Sequence, residues 1–160
     1  MKRLIYALAV FALVASSCGG ESPKKESTQE VKKDKPLSKR TQEGMMQLLN
    51  SCDISLHDAL VFEEVLMESN AYKIRFISSD IDEESLASLE GWFAEQVENL
   101  VNNGWKKRVI RDNEMMFGAR YTEIVLLKPE GMKVNVSYGL SFYSQYNDSK
   151  KEYRFTVSAD

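Results

Sequence analysis

The segment after Gly104 limits the fold most, because apolar and polar residues alternate along it and two turn motifs interrupt the alternation. The first, KPEG at residues 128–131, has proline and glycine where a β-turn favours them. The second, YNDSKK, pairs Tyr146 with Lys151. Both turns predict pairs of apolar residues on one face of a three-stranded antiparallel meander: Val125 with Val134, Tyr121 with Tyr138, Ala119 with Leu140, Phe117 with Phe142, Phe142 with Phe155 and Leu140 with Val157.

The same register predicts that the sheet is curved. It places Gly118 and Gly139 at one level of neighbouring strands, and glycines at one level are typical of a bend. A preceding hairpin is predicted to turn at residues 112–113. Its loop length stays open: a three-residue loop puts Trp105 and Val109 on the core face, and a two-residue loop puts Ile110 there.

A helix is predicted over residues 82–103. Acidic residues cluster at its start, where they interact favourably with the helix dipole. Gly104 follows its end, where many helices have a glycine. Apolar residues line one face at three- and four-residue spacing: Leu86, Leu89, Phe93, Val97, Leu100 and Val101.

Shorter helices are predicted before it. One covers residues 41–52 with Thr41 as N-cap, and another begins at Ser55 and continues toward Met67, with part of it as strand in the alternative interpretation. Residues 71–78, AYKIRFIS, alternate as a half-buried strand does. The predicted fold class is α+β: a curved antiparallel β-meander packed on the long helix 82–103, with short N-terminal helices, in one domain over residues 41–160.

The N-terminus has the pattern of a secretory signal. Lys2 and Arg3 precede the apolar run of residues 4–14, which is too short to span a membrane, and the small residues 15–17 then lead to Cys18. This pattern resembles the lipobox of bacterial lipoproteins, with Ala15 where the usual pattern has leucine. The resemblance implies a signal peptide over residues 1–17, cleavage before Cys18 and lipidation of Cys18. An ordinary cleaved signal is the alternative.

The lipoprotein resemblance also implies a location. The protein is expected in the cell envelope, lipid-anchored and facing the periplasm or the cell surface. Gly19 follows the modified cysteine, where an aspartate would be typical of inner-membrane retention. The expectation therefore favours the outer membrane.

Charge divides the mature chain into two parts. Residues 19–40 are almost without apolar side chains and contain seven Lys/Arg against four Asp/Glu, a net of +3, which predicts a disordered basic tether after Cys18. From Thr41 onward there are twelve Lys/Arg and twenty Asp/Glu, a net of −8. Because phosphate contacts need a basic surface, nucleic acid is not an expected partner. The expected partners are the membrane, through the anchor, and an envelope protein or a small ligand.

No catalytic, metal or cofactor site is predicted. Cys52 has no internal disulfide partner once Cys18 carries lipid, and its helical spacing from apolar residues predicts a buried thiol. His57 lies five residues later without a nucleophile motif around the pair. The acidic cluster at residues 80–84 lacks the spacing of a calcium loop. The chain is therefore expected not to be an enzyme.

The candidate binding residues are aromatic or unusually placed. Tyr138, Tyr143, Tyr146 and Tyr153 cluster in the last two predicted strands and predict either an interface or cross-strand packing. Glu123 is predicted opposite Val136 on the apolar face, as a buried carboxylate or as one at the edge of that face.

The opposite face of the predicted sheet is polar and, if the sheet curves, forms a possible binding surface. It is predicted to carry Lys73, Arg75, Arg120, Thr122, Lys133, Asn135, Ser137, Ser141 and Tyr143.

The sequence predicts a non-catalytic envelope lipoprotein whose acidic domain binds a protein partner or an envelope component. An alternative is a small-ligand carrier with an apolar pocket between sheet and helix, beside Met115, Met116 and Phe117. A structural spacer and an uncharacterised enzyme are further alternatives.

Overall fold

A computed structural model describes residues 41–68 and 71–159; the predicted signal peptide, the predicted lipidation site at Cys18 and the predicted tether lie outside the described residues. The described part is an α+β arrangement of two helices and one six-stranded antiparallel sheet. Its elements are α1 Gln42–Ser51, β1 Val61–Glu68, β2 Ala71–Ser78, α2 Glu83–Asn102, β3 Lys106–Met116, β4 Ala119–Leu127, β5 Gly139–Asn147 and β6 Glu152–Ala159. The strand order is β1-β2-β6-β5-β4-β3, so β3 to β6 form a meander that the β1–β2 hairpin extends at β6.

Both helices begin at side-chain caps. The Thr41 hydroxyl accepts a hydrogen bond from Gly44 N at 3.0 Å, and the Asp82 carboxylate accepts one from Ser85 N at 2.8 Å. At the end of α2, Gly104 has φ +90°, and the Trp105 amide donates to the Leu100 carbonyl at 3.0 Å. This is the glycine-closed helix end that the sequence predicts.

The helix predicted from Ser55 is wrong, and the alternative interpretation, in which part of this segment is strand, is confirmed by β1. The backbone of Ser55 is held by side chains of α2: Ser55 N donates to Gln96 Oε1 at 3.1 Å, and Trp92 Nε1 donates to Ser55 O at 2.8 Å. Leu60 N then donates to His57 O in a turn. Tertiary hydrogen bonds therefore take the backbone groups that a helix start would use, and Val61–Glu68 pairs with β2 instead.

The predicted register of β4 against β5 is also wrong. Val125 pairs with Ser141 instead of Val134, a shift of seven residues. The turn at this motif spans residues 129–132, one residue later than predicted, with Met132 N donating to Pro129 O at 3.3 Å. It lies inside a longer loop, which the hydrogen bond from Lys128 N to Tyr138 O closes at 2.9 Å. Because seven is odd, the shift exchanges the two faces of β4 relative to β5.

The β5–β6 register differs from the prediction by two residues, with Phe142 opposite Val157 instead of Phe155. An even shift keeps the faces, and all three of these residues are buried as predicted.

The hairpin predicted at residues 112–113 does not occur. Strand β3 continues through that point with a register irregularity, where Asn113 takes φ +51°. The reversal comes at Phe117-Gly118, whose φ angles of +50° and +76° are those of a two-residue turn with both residues in the left-handed region. Gly118 is therefore a turn residue and not part of the predicted paired-glycine bend.

The hydrophobic core lies between the sheet and the two helices. Phe155 is at its centre, with ring centroids 4.9 Å from Trp92 and 5.9 Å from Phe93. Helix α1 adds Met45 and Leu49, which are fully buried. The large core side chains of β2, β5 and β6 project from one side. The other side of the sheet is mainly polar, although Leu66, Ile77 and Val125 also lie on it.

Candidate functional site

The face of the sheet away from α2, here called the open face, carries a continuous polar row. The register places six side chains side by side across all six strands: Glu64, Arg75, Thr156, Tyr143, Glu123 and Arg111. Charged groups lie toward both ends of the row and hydroxyl groups in its middle. Side chains at paired positions are close enough to interact, so the row is one connected polar surface.

A β-bulge in β1 adds a further carboxylate to this face. The register shift between Phe62 and Glu64 leaves Glu63 as the extra residue. Its carboxylate lies 3.9 Å from Arg75 Nε and 3.5 Å from Arg154 Nε, while Arg75 also pairs with Glu64. The bulge therefore joins two arginines from neighbouring strands through one glutamate.

A groove of about 590 Å³ lies over this surface. Four basic side chains (Lys73, Arg75, Arg111 and Arg154) and three acidic ones (Glu63, Glu68 and Glu123) line it, a net charge of +1. Residues 41–160 as a whole have a net charge of −8. The groove is thus less negative than the rest of the domain and presents both signs of charge to a partner.

Two of the predicted binding residues lie in the groove. Tyr143 is half-buried there, with its ring centroid 5.7 Å from that of Tyr121, and burial raises the pKa of Tyr143. Glu123 is not on the apolar face opposite Val136, as predicted, but on the open face opposite Tyr143. There its carboxylate lies 3.3 Å from Arg111 Nε. The seven-residue register difference is the cause of this correction.

The other three predicted tyrosines do not join Tyr143 in one exposed patch. Tyr146 and Tyr153 are paired across β5 and β6 on the helix side of the sheet and are 6% and 1% exposed. Arg120 stacks over the Tyr146 ring at 5.0 Å from its centroid. Tyr138 is 76% exposed in the loop before β5. Of the two interpretations of the tyrosine cluster, cross-strand packing describes Tyr146 and Tyr153.

The polar face predicted from the sequence is divided by the structure. Lys73, Arg75, Ser141 and Tyr143 line the groove, whereas Arg120 belongs to the helix side, where its guanidinium lies 3.9 Å from Glu90. The remaining predicted members Lys133, Asn135 and Ser137 are in the loop between β4 and β5, and Thr122 lies on the helix side.

Sequence reasoning missed Arg111, Arg154 and Glu63. Arg154 alternates with buried residues of β6, so the strand periodicity was sufficient to predict that it lies on the open face. Glu63 was not, since its segment was predicted as helix.

The residues of the alternative interpretations lie elsewhere. Met115 and Phe117 are 67% and 94% exposed at the β3–β4 turn, and neither lines the cavity between α2 and the sheet. Cys52 is buried, as predicted, and burial raises the pKa of its thiol. His57 has separate partners: one ring nitrogen lies 3.0 Å from Ser88 Oγ and the other accepts from Ala59 N at 3.1 Å.

Two properties of the described residues concern metals and membranes. Within residues 41–68 and 71–159, no group of three or more His, Cys, Asp or Glu side chains is arranged to hold a metal ion. Neither helix of this part combines the length and the apolar character needed to cross a bilayer.

Comparison of the chain with protein-family models, with curated proteins and with solved structures finds no match. The candidate site therefore rests on its own geometry.

Proposed function

We propose that this chain is a non-catalytic lipoprotein of the cell envelope, anchored through lipid on Cys18, whose domain binds a protein partner or an envelope component in the open-face groove. One observation carries the binding part of the proposal. A groove of about 590 Å³ crosses the open face, and neither described helix covers that face. Concave surfaces with convergent polar groups are where proteins bind their ligands.

The chemistry of the groove supports a polar partner. Arginine–glutamate pairs at its sides offer hydrogen-bond donors and acceptors in fixed geometry, and Ser141, Ser158 and Thr156 on its floor offer small hydroxyl groups. The proposal includes a concave open face, which the bulge in β1 and the irregularities in β3 support, because bulges increase the local bend and twist of a sheet.

The anchor is tested by metabolic labelling with radioactive palmitate in a bacterial host. The full chain should incorporate label and sediment with membranes, and Cys18→Ser should do neither, because the sulfur that carries diacylglycerol is gone. Labelling of the Cys18→Ser variant would contradict the anchor.

The binding part is tested with the detergent-solubilised full chain as bait in a solubilised envelope fraction of the encoding organism. Ser141→Arg fills the groove, and Ser149→Arg makes the same substitution in the exposed β5–β6 turn. A partner captured by the parent and by Ser149→Arg, but at least tenfold less by Ser141→Arg, is the expected result. Equal capture by both variants, or no specific capture by the parent, would refute the groove as the binding site.

A further inference from the structure

A second cavity, of about 330 Å³, lies on the other side of the sheet between α2 and strands β3 and β4. Helix α2 reaches β5 and β6 through its aromatic side chains, with Phe93 meeting Phe142 at 6.2 Å between ring centroids, while its backbone passes close to β3 and β4. On the edge strand β3, Val109, which pairs with Ile124, is 49% exposed. The result is an open cleft along the flank of α2. Phe93, Val97 and Ile124 form its apolar lining.

The wall of this cleft contains a buried hydroxyl group without a hydrogen bond. Tyr153 lines the cleft and is 1% exposed, and its hydroxyl has no hydrogen-bond partner among the described residues. Burial raises the pKa of Tyr153 and the nearby Ser144 hydroxyl lowers it in part, but the two hydroxyl groups do not have the geometry of a hydrogen bond. A buried hydroxyl left unpaired costs about 1–3 kcal/mol, so its presence in a cavity wall points to a partner that binds there.

The charges around the cleft are mainly negative. Glu90, Glu98 and Asp112 line it together with one cation, Lys107, a net charge of −2, and Arg120, outside the lining, lies 3.9 Å from Glu90. Glu90 and Tyr153 both line this cleft, so the carboxylate and the unpaired hydroxyl belong to the same cavity.

We propose that the cleft binds a small organic amine, with its apolar body on Phe93, Val97 and Ile124 and its ammonium group at Glu90 and the Tyr153 hydroxyl. The volume is at the lower end of the range for ligand pockets, which fits a ligand of about ten non-hydrogen atoms. The ammonium ion supplies the charge that the acidic lining lacks and donates to the oxygen of Tyr153. This site is on the opposite face from the groove and is independent of partner binding there.

The test uses three probes of equal chain length and different head group: hexylamine, hexan-1-ol and hexanoate. The full chain is titrated at neutral pH, with the methyl NMR signals of Val97 and Ile124 as readout. Saturable shifts with affinities in the order amine, alcohol, carboxylate are expected, the amine exceeding the carboxylate at least tenfold. Equal affinity of all three probes, or no saturable shift, would overturn the proposal.

Two substitutions on α2 locate the binding. Ala94 lines the cleft and is exposed, so Ala94→Phe fills the cleft without disturbing the core. Ala87→Phe makes the same change at an exposed position of the helix outside the cleft lining. The affinity for hexylamine should be at least tenfold lower in Ala94→Phe and unchanged in Ala87→Phe. Equal effects of the two substitutions would overturn the location of the site.

A second pair tests the charge. Glu90→Gln should lower the affinity for hexylamine about two- to fivefold, the range of a solvent-accessible ion pair, and leave that for hexan-1-ol unchanged. Glu95→Gln, an exposed position of the same helix outside the cleft, should change neither. Equal losses for amine and alcohol with Glu90→Gln would show that the ammonium group is not recognised.

Discussion

Replacement of Tyr153 by phenylalanine should stabilise the protein at neutral pH. The hydroxyl is buried without a hydrogen-bond partner, at a cost of about 1–3 kcal/mol. Its removal leaves a void of roughly 10 Å³, which costs about 0.2 kcal/mol. The free energy of unfolding of Tyr153→Phe should therefore exceed that of the parent by about 1 kcal/mol in the absence of ligand.

The same substitution should change the dependence of stability on alkaline pH. Burial raises the pKa of Tyr153 in the folded protein, with a smaller contribution from Glu90, whereas in the unfolded chain it is 10.0. Well below pH 10, as at pH 7.5, the phenol is protonated in both states and does not change stability with pH. As the pH rises above 10, the unfolded state loses the proton and the folded state keeps it, so stability is lost. Between pH 9.5 and 11 this loss is about 1.2 kcal/mol for the parent and is absent from Tyr153→Phe.

Urea unfolding at pH 7.5, 9.5, 10.5 and 11 measures both effects, with the fluorescence of the buried residues Trp92 and Trp105 as the signal. Tyr138→Phe, the same change at a residue that is 76% exposed, is the matched control. The other titrating groups are common to all three proteins and cancel in the comparison. A Tyr153→Phe protein that is less stable than the parent at pH 7.5, or that matches Tyr138→Phe at every pH, would refute the buried, unpaired state of this hydroxyl.

Three further perturbations test the fold. Gly139→Ala should lower the free energy of unfolding by about 2–4 kcal/mol in urea titrations, because a Cβ there would lie 2.2 Å from the Leu126 carbonyl oxygen. A loss below about 0.5 kcal/mol would contradict the β4–β5 register. Phe117→Asn should raise thermal stability by about 0.5–1 kcal/mol, since asparagine tolerates the φ of +50° better, and a lower melting temperature would argue against the two-residue turn. The Cys52 thiol, buried and with a raised pKa, should react with a disulfide reagent on the order of 100-fold more slowly in native buffer than in urea, and equal rates would show that it is exposed.

Local patterns in the sequence were sufficient for several elements. The helix ends are defined by the cap residues Thr41 and Asp82 and by the closing Gly104. Their contacts lie within one helical turn, so they can be predicted from neighbouring residues in the sequence. The alternation in β2 and β6 likewise shows which side chains face the core, because the period of a strand does not depend on its partner. For the candidate site, this pattern placed Arg75 and Tyr143 on the polar face.

Longer-range contacts decided the remainder. Strand β1 replaced a predicted helix because side chains of α2, far along the chain, bind the backbone at Ser55. Predicting the open-face row requires the correct pairing of all six strands. The predicted β4–β5 register was wrong and therefore placed Glu123 on the helix side. A turn does form near the KPEG motif, but over residues 129–132 and inside the loop that Lys128 and Tyr138 close.

The sequence by itself determined the helix ends, the strand periods and the division of charge between residues 19–40 and the domain. Only the tertiary structure decided the strand register, and with it the groove and the cleft. The physical reason is that helix caps and strand periods depend on residues that are neighbours in sequence. A strand register instead depends on closing the intervening loop and on packing a whole face of the sheet. A shift by an odd number of residues therefore moves every side chain of that strand to the opposite face.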